Sequence, residues 1–137
     1  MIKEDLSPAE RESMIKEDLS PAELEELLLA KISEYGAKVE ELQEAGIKEA
    51  RAKIKYSVEY AKEYLKIKET KKEDGKGRTD KEAEAYATLN TAELELEYEI
   101  AKAQRRAIEE AIKNLALEID ALRSIYSFKK VELEKTV

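Results

Sequence analysis

The sequence predicts an all-α fold, a long antiparallel helical hairpin with coiled-coil-like packing. Three observations predict it: 42% of the residues are charged, the chain has only 4 Gly and 2 Pro, and apolar residues recur at helical spacing in two long runs around one polar loop. Such a composition belongs to solvated helices rather than to a sandwich or a parallel sheet. At 137 residues the chain fits one domain by the usual prior of roughly 100 to 200 residues.

The first arm is expected over about residues 21–70. Ser20 is placed to cap it, Pro21 sits at the first helical position where its missing N–H costs nothing, and Glu23 closes a capping box. From there Leu24, Leu28, Ile32, Tyr35, Val39 and Leu42 recur at helical spacing, followed by Ile47, Ala50, Ile54, Val58, Ala61 and Leu65. These residues form the expected seam. Gly36 and Gly46 each cost about 1 kcal/mol relative to Ala, which invites a kink or short break near either, although the apolar pattern continues through both.

Upstream, Met1 to Glu10 recurs identically at Met14 to Glu23. A structural repeat would continue and diverge, whereas this one is perfect and stops, so residues 1–13 read as a cloning duplication and 14–137 as the domain. Downstream, Lys71 to Asp80 holds two glycines and no aliphatic residue, which sets a loop at about 71–79. Thr79 with Glu82 makes a second capping box.

The second arm is expected over about residues 80–134, its seam running through Leu89, Leu96, Ile100, Ala103, Ala107, Ala111, Leu115, Ile119, Leu122 and Tyr126. Its Arg123, Lys129 and Lys130 suit the negative end of a helix. At about 100° per residue, Ile108, Ile112, Ile119 and Tyr126 fall about 100° to 140° from the start of that seam. A second apolar stripe implies a second partner, so these four residues are the expected interface of a homo-oligomer. The alternative is an arm that folds back into a three- or four-helix monomer.

The chain has no His and no Cys, which removes imidazole and thiolate metal ligands, thiol nucleophiles, His-based triads and disulfides. No catalytic residue, metal or cofactor is therefore expected. Glu95, Glu97 and Glu99, or Glu109 with Glu110, could do acid–base work in a pocket, but at these spacings they point in different directions and read as a solvated face. Gly75-Lys76-Gly77 lacks the spacing of a phosphate-binding loop and reads as a turn. No apolar run approaches the roughly 18 residues of a membrane span, and the protein is expected in the cytoplasm.

The net charge is −7, yet Ile47 to Lys81 holds 12 Lys/Arg against 7 Asp/Glu. Within this basic island Tyr56, Tyr60 and Tyr64 lie at about 200°, 240° and 280° from Ile54, opposite the expected seam. Lys53 and Lys71 share that face, while Lys55, Lys62 and Lys66 flank it. Lys68, Lys72, Lys76 and Arg78 complete the basic set. Aromatics interleaved with cations could stack unpaired bases and neutralise phosphates. The same tyrosines would also suit packing against another subunit.

Three stretches resemble the small helical recombination mediators of phages, the UvsY family: Met14-Ile15-Lys16-Glu17-Asp18-Leu19; Leu65-Lys66-Ile67-Lys68 before the Gly-Lys-Gly loop; and Ala121-Leu122-Arg123-Ser124 with Phe128-Lys129-Lys130. Their order and separations match over almost all of residues 14–135. The resemblance implies a non-catalytic single-stranded-DNA-binding protein that forms a ring-like oligomer. Its partners would be a RecA-type recombinase and single-strand-binding protein, with Lys66 and Lys68 at the family's DNA-binding basics. The chain departs from the family in its acidity and its Glu-rich second arm. A coiled-coil scaffold or adaptor, or an acidic phage-encoded inhibitor of a basic host protein, is the competing reading.

Overall fold

The computed structural model describes residues 19–70 and 75–136, among which are three α-helices and no strand. They are α1 (Pro21–Glu69), α2 (Asp80–Asn90) and α3 (Ala92–Thr136). The expected duplication at residues 1–13, the start at Met14, and Lys71 and Lys72 of the loop lie outside the described residues.

Local chemistry sets the ends of the helices. Glu23 N–H donates to Ser20 Oγ at 3.2 Å and Ser20 N–H donates to Glu23 Oε1 at 3.4 Å, which is the reciprocal capping box. α1 then runs without interruption through Gly36 and Gly46 to Glu69, so the break invited by the glycines does not occur. At its end, Thr70 N–H and Oγ1 both donate to Ile67 O, at 3.1 and 2.7 Å. Gly75 follows with φ of 80°, a backbone that only glycine adopts without strain. Thr79 caps α2, accepting from Glu82 N–H at 3.1 Å.

The second arm is not one helix as expected. Thr91 separates α2 from α3, with φ −113° and ψ 12°. Its N–H and its hydroxyl both donate to Ala87 O, at 3.1 and 2.6 Å, and Glu95 N–H donates back to Thr91 O at 3.0 Å. A threonine hydroxyl competes with the main chain for a carbonyl one turn back, and here it ends one helix while starting the next.

The described residues fall into two compact units: residues 19–40 with 110–136, and Glu41–Glu109. In the first, the opening stretch of α1 pairs antiparallel with the closing stretch of α3. Lys31 Nζ lies 3.1 Å from Glu118 Oε2, and Lys129 Nζ donates to Leu19 O at 2.6 Å. Its core is aliphatic: Leu24 and Leu122 are 0% exposed, and Leu115 and Ile119 are buried with them.

In the second unit, α1 from Glu41 onward pairs antiparallel with α2 and the start of α3. Glu49 meets Arg105, Tyr56 meets Tyr98, Glu63 meets Asn90 and Tyr64 meets Asp80, so partner numbers fall as α1 numbers rise. The buried residues here are Ala83, Ala87, Thr91 and Ala101. Apart from the half-buried Leu94 and Ile108, the residues covered on this side of α2 and α3 are small or polar rather than aliphatic.

Candidate interaction surface

Two faces of the second unit differ in chemistry: an inner face of aromatics, small residues and charges, and an outer face of aliphatics. On the inner face of α1, Ala45, Glu49, Ala52, Tyr56, Glu59 and Glu63 are half-buried, stepping by three and four as a two-helix seam requires. Arg105 answers Glu49, its Nε and Nη2 both donating to that carboxylate while Nη1 donates to Glu109 Oε1 at 2.6 Å. The bond from Arg105 holds the Glu49 carboxyl below its ordinary range, and Glu49 and Glu109 push the Arg105 guanidinium up. A charged pair set in a seam fixes the register of the helices more than it adds stability.

The tyrosines lie on this same inner face, which corrects the expected platform. Tyr56 stacks on Tyr98 with ring centroids 6.4 Å apart and planes at 24°, and Tyr60 meets Tyr56 edge-on at 6.2 Å. Burial, then the neighbouring Glu95, pushes the Tyr56 hydroxyl up from its ordinary value. Tyr64 OH donates to Asp80 Oδ1 at 2.9 Å, and this bond raises the Tyr64 value. Of the rings that were to receive unpaired bases, Tyr56 and Tyr64 are therefore engaged with the facing helices, and Tyr60 with Tyr56.

The basic island divides. Lys68 Nζ lies 3.0 Å from Asp80 Oδ1 and donates to Arg78 O at 3.1 Å, while Arg78 pairs with Glu82 at 3.3 Å and sits over the Tyr86 ring at 5.6 Å. The bond to Asp80 raises the Lys68 value, and bonds from Lys68 and then Tyr64 lower that of Asp80. These cations staple the end of α1 to the start of α2. Lys53, Lys55, Lys62 and Lys66 are exposed along α1, Lys62 paired only loosely with Glu59 at 3.5 Å, and Lys76 is exposed in the loop.

The outer face is the expected seam turned outward. Ile47, Ile54, Val58 and Leu65 of α1, with Leu89 of α2 and Leu96 and Ile100 of α3, are exposed, Ile54 by 64% and Leu89 by 72%. Each is only partly covered and forgoes roughly half of the about 1.5 to 3 kcal/mol that full burial of such a side chain contributes. Conversely, the stripe assigned to an oligomer interface is used inside the chain: Ile119 is buried, and Ile108, Ile112 and Tyr126 are half-buried. Ile119 lines a cleft of the first unit with Ile32 and Tyr35; Ile108 lines one of the second with Ala45 and Lys48.

The residues that sequence reasoning missed are Glu49 and Arg105, charged groups at seam positions. Their three-and-four spacing with Ala45, Ala52 and Tyr56 was the available signal, hidden because apolarity alone had been followed. Among the described residues no group of three or more acidic side chains is placed to hold a metal ion, and no helix is long and apolar enough to cross a membrane. No protein-family model, curated protein or solved structure matches the chain. The likeness to recombination mediators thus rests on its three short stretches.

Proposed function

We propose that this chain is a non-catalytic helical scaffold that works by docking its outer aliphatic faces against other helices. The observation that carries the reading is the exposed row Ile47, Ile54, Val58 and Leu65, which lies opposite a seam already filled by tyrosines and an Arg–Glu pair. Contiguous aliphatic side chains rimmed by charge mark a protein contact. Mass by light scattering across a concentration range tests it. A mass above the monomer, lost on Ile54→Gln with Val58→Gln, is expected; a monomer at every concentration that also captures no helical partner overturns the reading.

A second reading rests on Lys53, Lys55, Lys62 and Lys66, exposed along one helix. It is the capture of single-stranded DNA, with recombinase loading as its purpose, by charge without base stacking. A labelled single-stranded oligonucleotide that binds at low salt and is lost on Lys53→Ala with Lys55→Ala supports it. Negligible binding at low salt removes it.

A further inference from the structure

The outer faces of the second unit carry one pattern written twice with opposite charge. On α1 the exposed positions Ile47, Ala50, Ile54, Val58, Ala61 and Leu65 step by three, four, four, three and four. Leu89, Ala92, Leu96, Ile100, Ala103 and Ala107 take the same steps, shifted by 42 residues, and all are exposed. Each row lies about 200° around its helix from the inner Tyr56 or Tyr98, so the two rows occupy opposite outer sides of the antiparallel pair.

The flanks are complementary at matched positions. Arg51, Lys53 and Lys55 on α1 correspond, 42 residues on, to Glu93, Glu95 and Glu97 on α3. Between Arg51 and Val58 there is no acidic residue, and between Glu93 and Ile100 no basic one. Among the described residues, Arg51, Lys53 and Lys55 are exposed and make no ion pair, and Glu93 and Glu97 are equally exposed and unpaired. Two basic flanks or two acidic flanks brought face to face would repel, whereas a basic face on an acidic one covers both aliphatic rows and neutralises both sets of charge.

We infer that the α1 outer face of one copy docks on the α2–α3 outer face of a second copy of this chain. The inference rests on the scaffold reading and names its partner. The contact is heterologous: each copy offers one basic and one acidic face, so the same interface repeats from copy to copy. Tyr56 and Tyr98 stay out of it, and the basic strip becomes a receptor for the protein's own glutamates.

The test uses two full-length variants, each blocked on one face without a change of charge: Ile54→Gln with Val58→Gln, and Leu96→Gln with Ile100→Gln. All four positions are exposed, so circular dichroism should match the parent. Each variant alone is expected to lose association by about tenfold or more in its dissociation constant and to run as a monomer. An equimolar mixture should form a one-to-one dimer, because each variant keeps the face the other lacks. Lys53→Glu with Lys55→Glu should weaken assembly, and Glu95→Lys with Glu97→Lys in the same chain should restore it. If the Leu96→Gln, Ile100→Gln variant alone keeps the parent's mass, or if the mixture stays monomeric, head-to-tail docking is overturned while the scaffold reading stands; if the Ile54→Gln, Val58→Gln variant alone keeps that mass, the α1 row is not the contact and both readings fall. A parent that is monomeric throughout, with no helical partner captured, overturns both.

Discussion

The two units solve the same packing problem with opposite chemistry. In the unit of residues 19–40 and 110–136, Leu24, Leu115, Ile119 and Leu122 form a buried aliphatic core, Leu24 and Leu122 wholly so, although Leu29, Leu117 and Phe128 stay exposed. In Glu41–Glu109 the inner seam is Ala, Tyr, Thr and an Arg–Glu pair, while Ile54, Leu89 and Leu96 look out. The first unit carries the stability of a small core. The second holds its register by hydrogen bonds and rings, leaving its aliphatic side chains for something else to cover. For the proposed scaffold, that division would keep the docking face separate from the face that folds.

The largest effect should come from the first unit's core. Leu122→Ala is expected to cost about 2 to 5 kcal/mol by urea unfolding, through lost burial and the cavity left behind. Leu96→Ala, an exposed position of the second unit, should cost at most about 0.5 kcal/mol in dilute solution. Equal costs would erase the contrast between the units.

Next comes the cap. Ser20→Ala removes the acceptor of Glu23 N–H and should lower stability by about 0.5 to 2 kcal/mol, checked by thermal unfolding, whereas Ser20→Asp should keep most of it. Smaller still is a gain: Gly36 is helical and exposed, and a Cβ there meets open space. Gly36→Ala is expected to raise stability by roughly 0.5 to 1 kcal/mol, and a loss would mean that α1 is bent there.

The smallest effect is the acid response of the second unit. Glu49 and Asp80 are held below their ordinary values, by Arg105 and by Lys68 with Tyr64 respectively. A depressed carboxylate contributes stability above its unfolded value and loses it as pH falls through the folded one. The window therefore opens below the ordinary values of 4.5 and 3.8. Asp80 is open to solvent and Glu49 is only half-buried at the surface of the seam, so the slope should be shallow. Urea midpoints measured from pH 7 to pH 3 should fall less steeply in Arg105→Gln than in the parent. An identical acid limb would show that the Glu49–Arg105 pair carries no pH dependence.

Much of the molecule was legible before any coordinates. The Ser20 capping box, the Thr79 cap, the loop glycine and the two-armed helical layout all follow from side chains acting on backbone within a few residues. The buried row Leu115, Ile119 and Leu122 was also legible, because apolarity and seam spacing coincide there. They part company in α1 after Leu42. The helix passes Gly46 unbroken, and the inward positions continue by three and four through Ala45, Glu49, Ala52 and Tyr56. The apolar residues instead step by five, from Leu42 to Ile47, a turn of about 140° that carries them to the outside. Following hydrophobicity alone, one reads the outer stripe as the seam and the tyrosines as a surface platform, and both assignments reverse together.

By itself, then, the amino-acid sequence determined where the first arm starts, where the loop interrupts and where the second arm begins, because caps, turns and periodicity are settled by neighbours in the chain, while the break at Thr91 was not read from it. Only tertiary structure decided which side of α1 is inside. A helix offers several faces at once, and the choice among them falls to the facing helix. Here Arg105 and Tyr98 reach Glu49 and Tyr56, with the buried alanines Ala83, Ala87 and Ala101 on the same seam.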